Sequence, residues 1–176
     1  MMNGLPFPGA GLVLACGLAL GGCGDARPDD RIMGTPPPPV AEPAPAGAAL
    51  QGANIPTLDP VTLDEAEIAA VLGPGAWCAF HYTRSGKPVA AFQVDRRRGV
   101  VKLNGKLIPL AYAPAADGAR LSAEALSLDI STGETAQEAN AGLVEAEMVF
   151  SLRQGEGLTV GYGGYYGCAG GADRTP

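Results

Sequence analysis

From Trp77 to Cys168 apolar and polar residues alternate with a period of two, in short runs broken by turn residues. That alternation constrains the chain most, because a period of two puts one set of side chains on one face of a pleated strand. It is plainest in Val144 to Leu152. There Val144, Ala146, Met148, Phe150 and Leu152 face one way, while Glu145, Glu147 and Ser151, with the following Arg153, face the other. Leu126, Leu128 and Ile130 alternate with Ser127 and Asp129 in the same manner. Trp77 to Thr83 is rich in aromatic residues, and Val89 to Val94 and Val100 to Leu103 read as strands separated by Arg96-Arg97-Arg98-Gly99. Asn104-Gly105, between Val-Lys-Leu and Lys-Leu-Ile, predicts a two-residue type I′ hairpin, since both residues tolerate positive φ. Pro109, inside Leu107 to Tyr112, predicts an edge position or a bulge, because proline cannot donate to a ladder. Gln154-Gly155-Glu156-Gly157 turns into a last strand from Leu158 to Cys168. Seven to eight short strands at such intervals predict a mainly β fold, a small antiparallel β-barrel or sandwich.

One short α-helix precedes the strands. Thr62-Leu63-Asp64-Glu65 has capping-box form, with Glu65 three residues after a Thr62 N-cap. Leu63, Ala66, Ala70 and Val71 then recur near helical spacing, and Gly73-Pro74 ends the run.

The N-terminal region has a different character. Gly9 to Leu20 is an uninterrupted apolar stretch of 12 residues. That is too short to cross a hydrocarbon core and suits the apolar segment of a signal peptide. Leu20-Gly21-Gly22-Cys23 follows and resembles the lipobox of bacterial lipoproteins. The resemblance implies cleavage after residue 22 and acylation of the Cys23 sulfur. Val13-Leu14-Ala15-Cys16 has the same form, but almost no apolar segment precedes it, so Cys16 reads as a small apolar residue. The leading Met-Met-Asn-Gly-Leu-Pro-Phe-Pro carries no Lys or Arg, a departure from export signals that translation from a different start codon would explain. A plain secretory signal, cleaved without lipidation, is the alternative. Gly24 and Asp25 favour sorting to the outer membrane over the inner.

Residues 23–57 contain Thr35-Pro36-Pro37-Pro38-Pro39 and Pro43-Ala44-Pro45-Ala46, with few large apolar residues. Such composition buries little surface and favours extended polyproline II, so the segment reads as a disordered, semi-rigid tether. The β domain then spans 58–170, and 171–176 form a flexible tail. A length of 176 residues accommodates this one domain and not comfortably a second. The formal charge of −6 argues against broad attraction to nucleic acid.

After processing, the mature chain keeps Cys23, Cys78 and Cys168, and the lipid occupies Cys23. Cys78 in the first strand and Cys168 in the last then face an oxidising compartment, and pairing them would close a barrel at its two ends. Two separate buried thiols are the alternative.

Chemistry-bearing constellations are sparse. His81 is the only histidine, on the strand face opposite Cys78, Phe80 and Tyr82, and no Cys or carboxylate stands at zinc-ligand spacing beside it. There is no Gly-x-Ser-x-Gly elbow for a serine nucleophile. Glu145 and Glu147 share a face, as a pair of glycosidase carboxylates would, but their alternation with an apolar stripe is that of a solvated strand. We therefore expect no catalytic set, no metal and no cofactor. Two features suit binding instead. Arg96, Arg97 and Arg98 sit at a predicted hairpin tip, where guanidinium groups grip phosphate or carboxylate. Tyr162, Tyr165 and Tyr166 are interleaved with glycines in the last strand, and tyrosine suits interfaces and sugar rings. A solvated turn and a bent closing strand are the structural alternatives.

The layout resembles the membrane-bound inhibitors of C-type lysozyme, small periplasmic β-barrel lipoproteins. The residues that carry the resemblance are Leu20-Gly21-Gly22-Cys23, Cys78, the hairpin Val100 to Leu110, and Cys168. It covers Trp77 to Cys168 in outline. The inhibitors carry a Ser-Gly-x-x-Tyr loop that enters the lysozyme cleft, whereas Ser85-Gly86-Lys87 here has no Tyr three residues after Gly86. The expected function is that of an envelope lipoprotein whose periplasmic domain binds a partner: a basic wall hydrolase, a glycan or an envelope protein. The alternative is a structural or accessory lipoprotein acting only through protein contacts.

Overall fold

The computed structural model describes residues 38–54, 58–133, 142–153 and 157–169. Their elements, in chain order, are α1 (Ala46–Ala49), α2 (Glu65–Leu72), β1 (Trp77–His81), β2 (Pro88–Gln93), β3 (Arg98–Leu103), β4 (Lys106–Ala115), β5 (Gly118–Ala123), β6 (Leu126–Thr132), β7 (Val144–Leu152) and β8 (Leu158–Ala169). Each strand pairs antiparallel with the next and β8 pairs back on β1, so the eight strands form a closed barrel. Closure pairs both outer strands with each other, although β1 covers β8 only from Tyr165 to Ala169.

The period-two pattern sorts the side chains as the alternation requires. Phe80, Phe92, Val101, Ile108, Leu121, Leu128, Met148 and Phe150 are buried together inside the barrel. The rings of Tyr112 and Tyr166 lie almost parallel to that of Phe92, at 4.9 and 6.0 Å between ring centres. The inward set on β7 is the stripe Val144, Met148, Phe150 and Leu152, with Glu145 and Glu147 exposed. Asn104 and Gly105 adopt φ of 47° and 70°, the positive pair a type I′ turn demands.

A second core lies outside the barrel wall. Leu63 and, from α2, Ile68, Val71 and Leu72 cover the outward side chains Ala79, Ala91, Val100 and Leu107. This is why Val89 to Phe92 and Val100-Val101 run apolar without alternating: both faces of those strands are buried. The helix N-cap is Asp64, not Thr62, and the capping box is Asp64 with Glu67. The cause is local. The Leu63 N–H donates to the Pro88 carbonyl at 2.7 Å, which holds that residue extended and delays the first turn. Gly73, at φ 74°, ends the helix where a side chain would be strained.

The tether expectation is corrected over its C-terminal part. The backbone of Glu42 to Ala44 runs parallel to β4, with the Leu107 N–H donating to the Glu42 carbonyl at 3.0 Å and the Ala44 N–H to the Leu107 carbonyl at 2.7 Å. This pairing uses the half of β4 that β5 leaves free, since β5 joins β4 only from Ala111 onward. Pro109 sits in that same half, as an edge proline should. Beyond it Ala46, Ala49, Leu50 and Leu58 are buried against the barrel core. The Asn104 side-chain amide donates to the Ala49 carbonyl at 3.1 Å and the Gly47 N–H to Glu124 Oε2 at 3.0 Å, so the segment spans the β3–β4 and β5–β6 turns at one end of the barrel. Small side chains let the backbone approach closely, and proline lowers the entropy lost in ordering it. Poverty in large apolar residues therefore did not prevent docking. Cys16, Cys23, the apolar stretch 9–20 and the tail 171–176 lie outside the described residues.

Candidate functional site

The arginine tip is used within the fold. The Arg98 Nη2 donates to the Val71 carbonyl at 2.8 Å and the Arg96 Nη1 to the Leu72 carbonyl at 3.3 Å. Two guanidinium groups thus satisfy the last carbonyls of α2 and oppose the negative end of its dipole. Arg97 alone points away, exposed, at φ 50° in the turn. The three do not assemble into an anion grip.

The tyrosines of β8 also part company, because alternation sends them to opposite faces. Tyr166 is buried in the barrel, and Tyr162 packs against the same core and donates its hydroxyl to Asp59 Oδ1 at 2.5 Å. Tyr165 points outward under Arg84, whose Cζ lies 4.5 Å from the ring centre. The Arg84 Nη1 donates to the Leu143 carbonyl at 3.3 Å, which holds the guanidinium across the ring.

A cleft forms beside Tyr165 for a topological reason. β1 stops at His81, opposite Tyr165, whereas β8 begins seven residues earlier at Leu158. Past His81 the seam between first and last strands opens. The floor there is Gly163-Gly164, and Gly164 has no alternative: a Cβ would stand 2.2 Å from the His81 carbonyl oxygen and 2.5 Å from Phe80 Cζ. Nothing lies within 4 Å of the corresponding position at Gly163. The result is an open cleft of about 300 Å³ lined by Tyr82, Glu145, Ala146, Gly163, Gly164 and Tyr165. His81, Tyr165 and Glu145 stand in register across β1, β8 and β7 and form one row on the outer wall.

With this geometry the chain can be placed among known proteins. A family model matches residues 19–171. The chain belongs to the family described as Domain of unknown function (DUF6692). No curated protein and no solved structure matches it. The DUF6692 region takes in Leu20-Gly21-Gly22-Cys23, the docked segment and the whole barrel.

Within this DUF6692 barrel the electrostatics of the cleft are set by carboxylates. Among the described residues Glu145 and Glu147 make no ion pair, and the Glu147 carboxylate lies over Gly161, 3.1 Å from where a Cβ would be. Tyr82 donates its hydroxyl to the Pro60 carbonyl at 2.9 Å, and its ring stands 5.5 Å from that of Tyr162. Burial, and then the nearby Asp59 charge, push the Tyr82 hydroxyl up to about 12. Burial and the Asp59 carboxylate raise Tyr162 further. Both phenols stay neutral at any physiological pH. His81 is committed elsewhere: its Nδ1 is 2.9 Å from the Gly86 carbonyl, which only accepts, so Nδ1 carries the proton and ties the β1–β2 turn. No group of three potential metal ligands occurs among the described residues.

Sequence reasoning singled out Tyr165 as a binding candidate, set Glu145 aside as part of a solvated strand face, and did not single out Tyr82, Arg84 or Asp59. The available signal was the glycine pair between tyrosines, together with a first strand shorter than the last. Cys78 and Cys168 stand opposite each other in the β1–β8 ladder and are bonded, S–S 2.02 Å.

Proposed function

We propose that the chain is an envelope lipoprotein, held by acylated Cys23, whose periplasmic barrel is a binding module. The observation that carries this reading is the outer-wall cleft: two tyrosines and a carboxylate that makes no ion pair among the described residues, around a glycine floor, on a barrel whose interior is filled with its own side chains. A rigid wall sealed by Cys78–Cys168 holds such a surface in one shape, which lowers the ordering cost of binding. The partner we favour is a basic wall hydrolase of the lysozyme type. Two features support that choice: the chain's −6 charge, which favours encounter with a basic protein, and the outline it shares with lysozyme inhibitors. The Leu20-Gly21-Gly22-Cys23 run supports the anchor and the periplasmic address, with the outer membrane as destination.

The test uses the full chain, expressed with its own signal and purified from membranes in a non-ionic detergent. It should inhibit a C-type lysozyme in a cell-wall clearing assay at stoichiometric concentrations. The Cys23→Ala variant should leave the membrane fraction. Unchanged clearing with the lipoprotein in large molar excess refutes the hydrolase partner, and an unmodified mature N-terminus refutes the anchor.

A further inference from the structure

We infer that the cleft lined by Tyr82, Glu145, Gly163, Gly164 and Tyr165 is a cation site, which receives a lysine ammonium or arginine guanidinium presented by a basic protein. The inference rests on the binding reading above and gives its site a ligand class.

Three observations carry it. First, among the described residues the carboxylates outnumber the cations here. Glu145 lines the cleft, Glu147 lies over Gly161 on the same wall, and Asp59 accepts from Tyr162 beside Tyr82; Arg84 is the cation placed at Tyr165. An anionic ligand would meet net repulsion. Second, the outward face of Tyr165 that a sugar ring would stack on lies under Arg84, at 4.5 Å from Cζ to the ring centre. A neutral glycan loses its platform. Third, Arg84 itself shows what this wall accepts: a guanidinium lying on a tyrosine ring and donating to a main-chain carbonyl, that of Leu143. The cleft that Tyr165 lines adds the Glu145 carboxylate to that ring. Aromatic rings, a carboxylate and glycine backbone with no side chains in the way form the chemistry that recognises a desolvated cation. Gly163, with nothing within 4 Å of where its Cβ would be, is what lets a long side chain reach the floor.

The experiment is an NMR titration of the ¹⁵N-labelled full-chain lipoprotein in a non-ionic detergent. The probes are Nα-acetyl-arginine amide and Nα-acetyl-lysine amide, with Nα-acetyl-glutamine amide and chitotriose as neutral controls. The cations should shift the amides of Glu145, Gly163, Gly164 and Tyr165 saturably, and the neutral probes should not. Glu145→Gln, at an exposed position, should keep the remaining spectrum intact and weaken cation binding by roughly tenfold or more, the scale of one charge-assisted hydrogen bond. Equal shifts with the glutamine probe, unchanged affinity in Glu145→Gln, or chitotriose moving these amides while the cations do not would each overturn the inference. The two readings separate cleanly. If lysozyme inhibition persists undiminished in Glu145→Gln, the cation site falls and the binding module stands. If no inhibition occurs while the cations bind as described, the site stands and the hydrolase partner falls.

Discussion

Removing the disulfide is the perturbation whose size follows most directly from the topology. Cys78 and Cys168 are 90 residues apart and face each other at the seam where first and last strands meet. In the chain-entropy model a crosslink closing that loop lowers the entropy of the unfolded chain by roughly 15 cal/mol/K, or about 4.6 kcal/mol at 25 °C. The native state does not depend on the bond for its shape, since the β1–β8 ladder pairs Trp77 through His81 with Ala169 through Tyr165 regardless. Cys78 is buried, so removing its sulfur and leaving the alanine methyl costs about 1 kcal/mol in lost packing. The Cys78→Ala/Cys168→Ala double variant should therefore fold to the same barrel and be less stable by about 4–5 kcal/mol. For a domain of this size that corresponds to a fall in melting temperature of roughly 10–20 °C. Urea unfolding of the full chain, followed by circular dichroism, is the assay. The midpoint should drop and the m-value should rise, because the unlinked chain expands further on unfolding. A double variant with unchanged midpoint and slope would refute the loop-closure argument.

Other consequences follow from the packing around α2 and the seam. Glu67 is 4% exposed, and both its carboxylate oxygens accept from Lys102 Nζ at 2.9 Å, so Lys102→Met should destabilise by about 3–5 kcal/mol by stranding a buried charge, measurable in the same urea series. Burial works to raise the Glu67 carboxyl, but Lys102 and the N–H groups of Asp64 and Ala41 outweigh it and hold the group below its ordinary value. That contribution is complete above the ordinary carboxyl pKa of 4.5 and is lost as pH falls through the lower folded value; acid titration of Lys102→Met should lack this loss. Gly164→Ala should cost roughly 1–3 kcal/mol or more, because its methyl would strike the His81 carbonyl 2.2 Å away, and thermal melts will read it. Arg98→Ala should cost about 1 kcal/mol through the lost cap on α2, by the same melts, and leave lysozyme inhibition unchanged.

What the sequence displayed and what it concealed have separate physical causes. Strands with one solvated face were legible, and β7 is the clearest, since its Glu and Ser positions fell on the outer wall. β5 was not singled out. Gly118-Ala119-Arg120-Leu121-Ser122-Ala123 has small residues where a strand reader looks for Val or Phe, and of its three core-facing residues, Ala119, Leu121 and Ala123, two are alanine. The Thr62 cap failed because a tertiary hydrogen bond to Leu63 outweighed a local motif that fitted equally well two residues later. Docking of 42–54 was invisible to composition, since alanine contributes little by transfer yet Ala46 and Ala49 are buried with Leu50 against the barrel core. The fold separates the residues of the two binding candidates in different ways. The arginines were claimed by helix carbonyls that are distant in sequence, and the tyrosines were divided by the same alternation that identified the strand. The cleft itself depends on β8 outrunning β1, a property of register that no single strand carries.

The central claim is that partners bind at the β1–β8 seam, and amide hydrogen exchange on the full-chain lipoprotein tests it most directly. Exchange is followed by mass spectrometry with and without a saturating C-type lysozyme. The account predicts slower exchange in 142–147, 161–166 and the turn 82–86, which border the cleft, and no change at Asn104-Gly105 or in 118–131. Protection confined to Asn104-Gly105 or to the outer face of α2, with the seam unaffected, would contradict it.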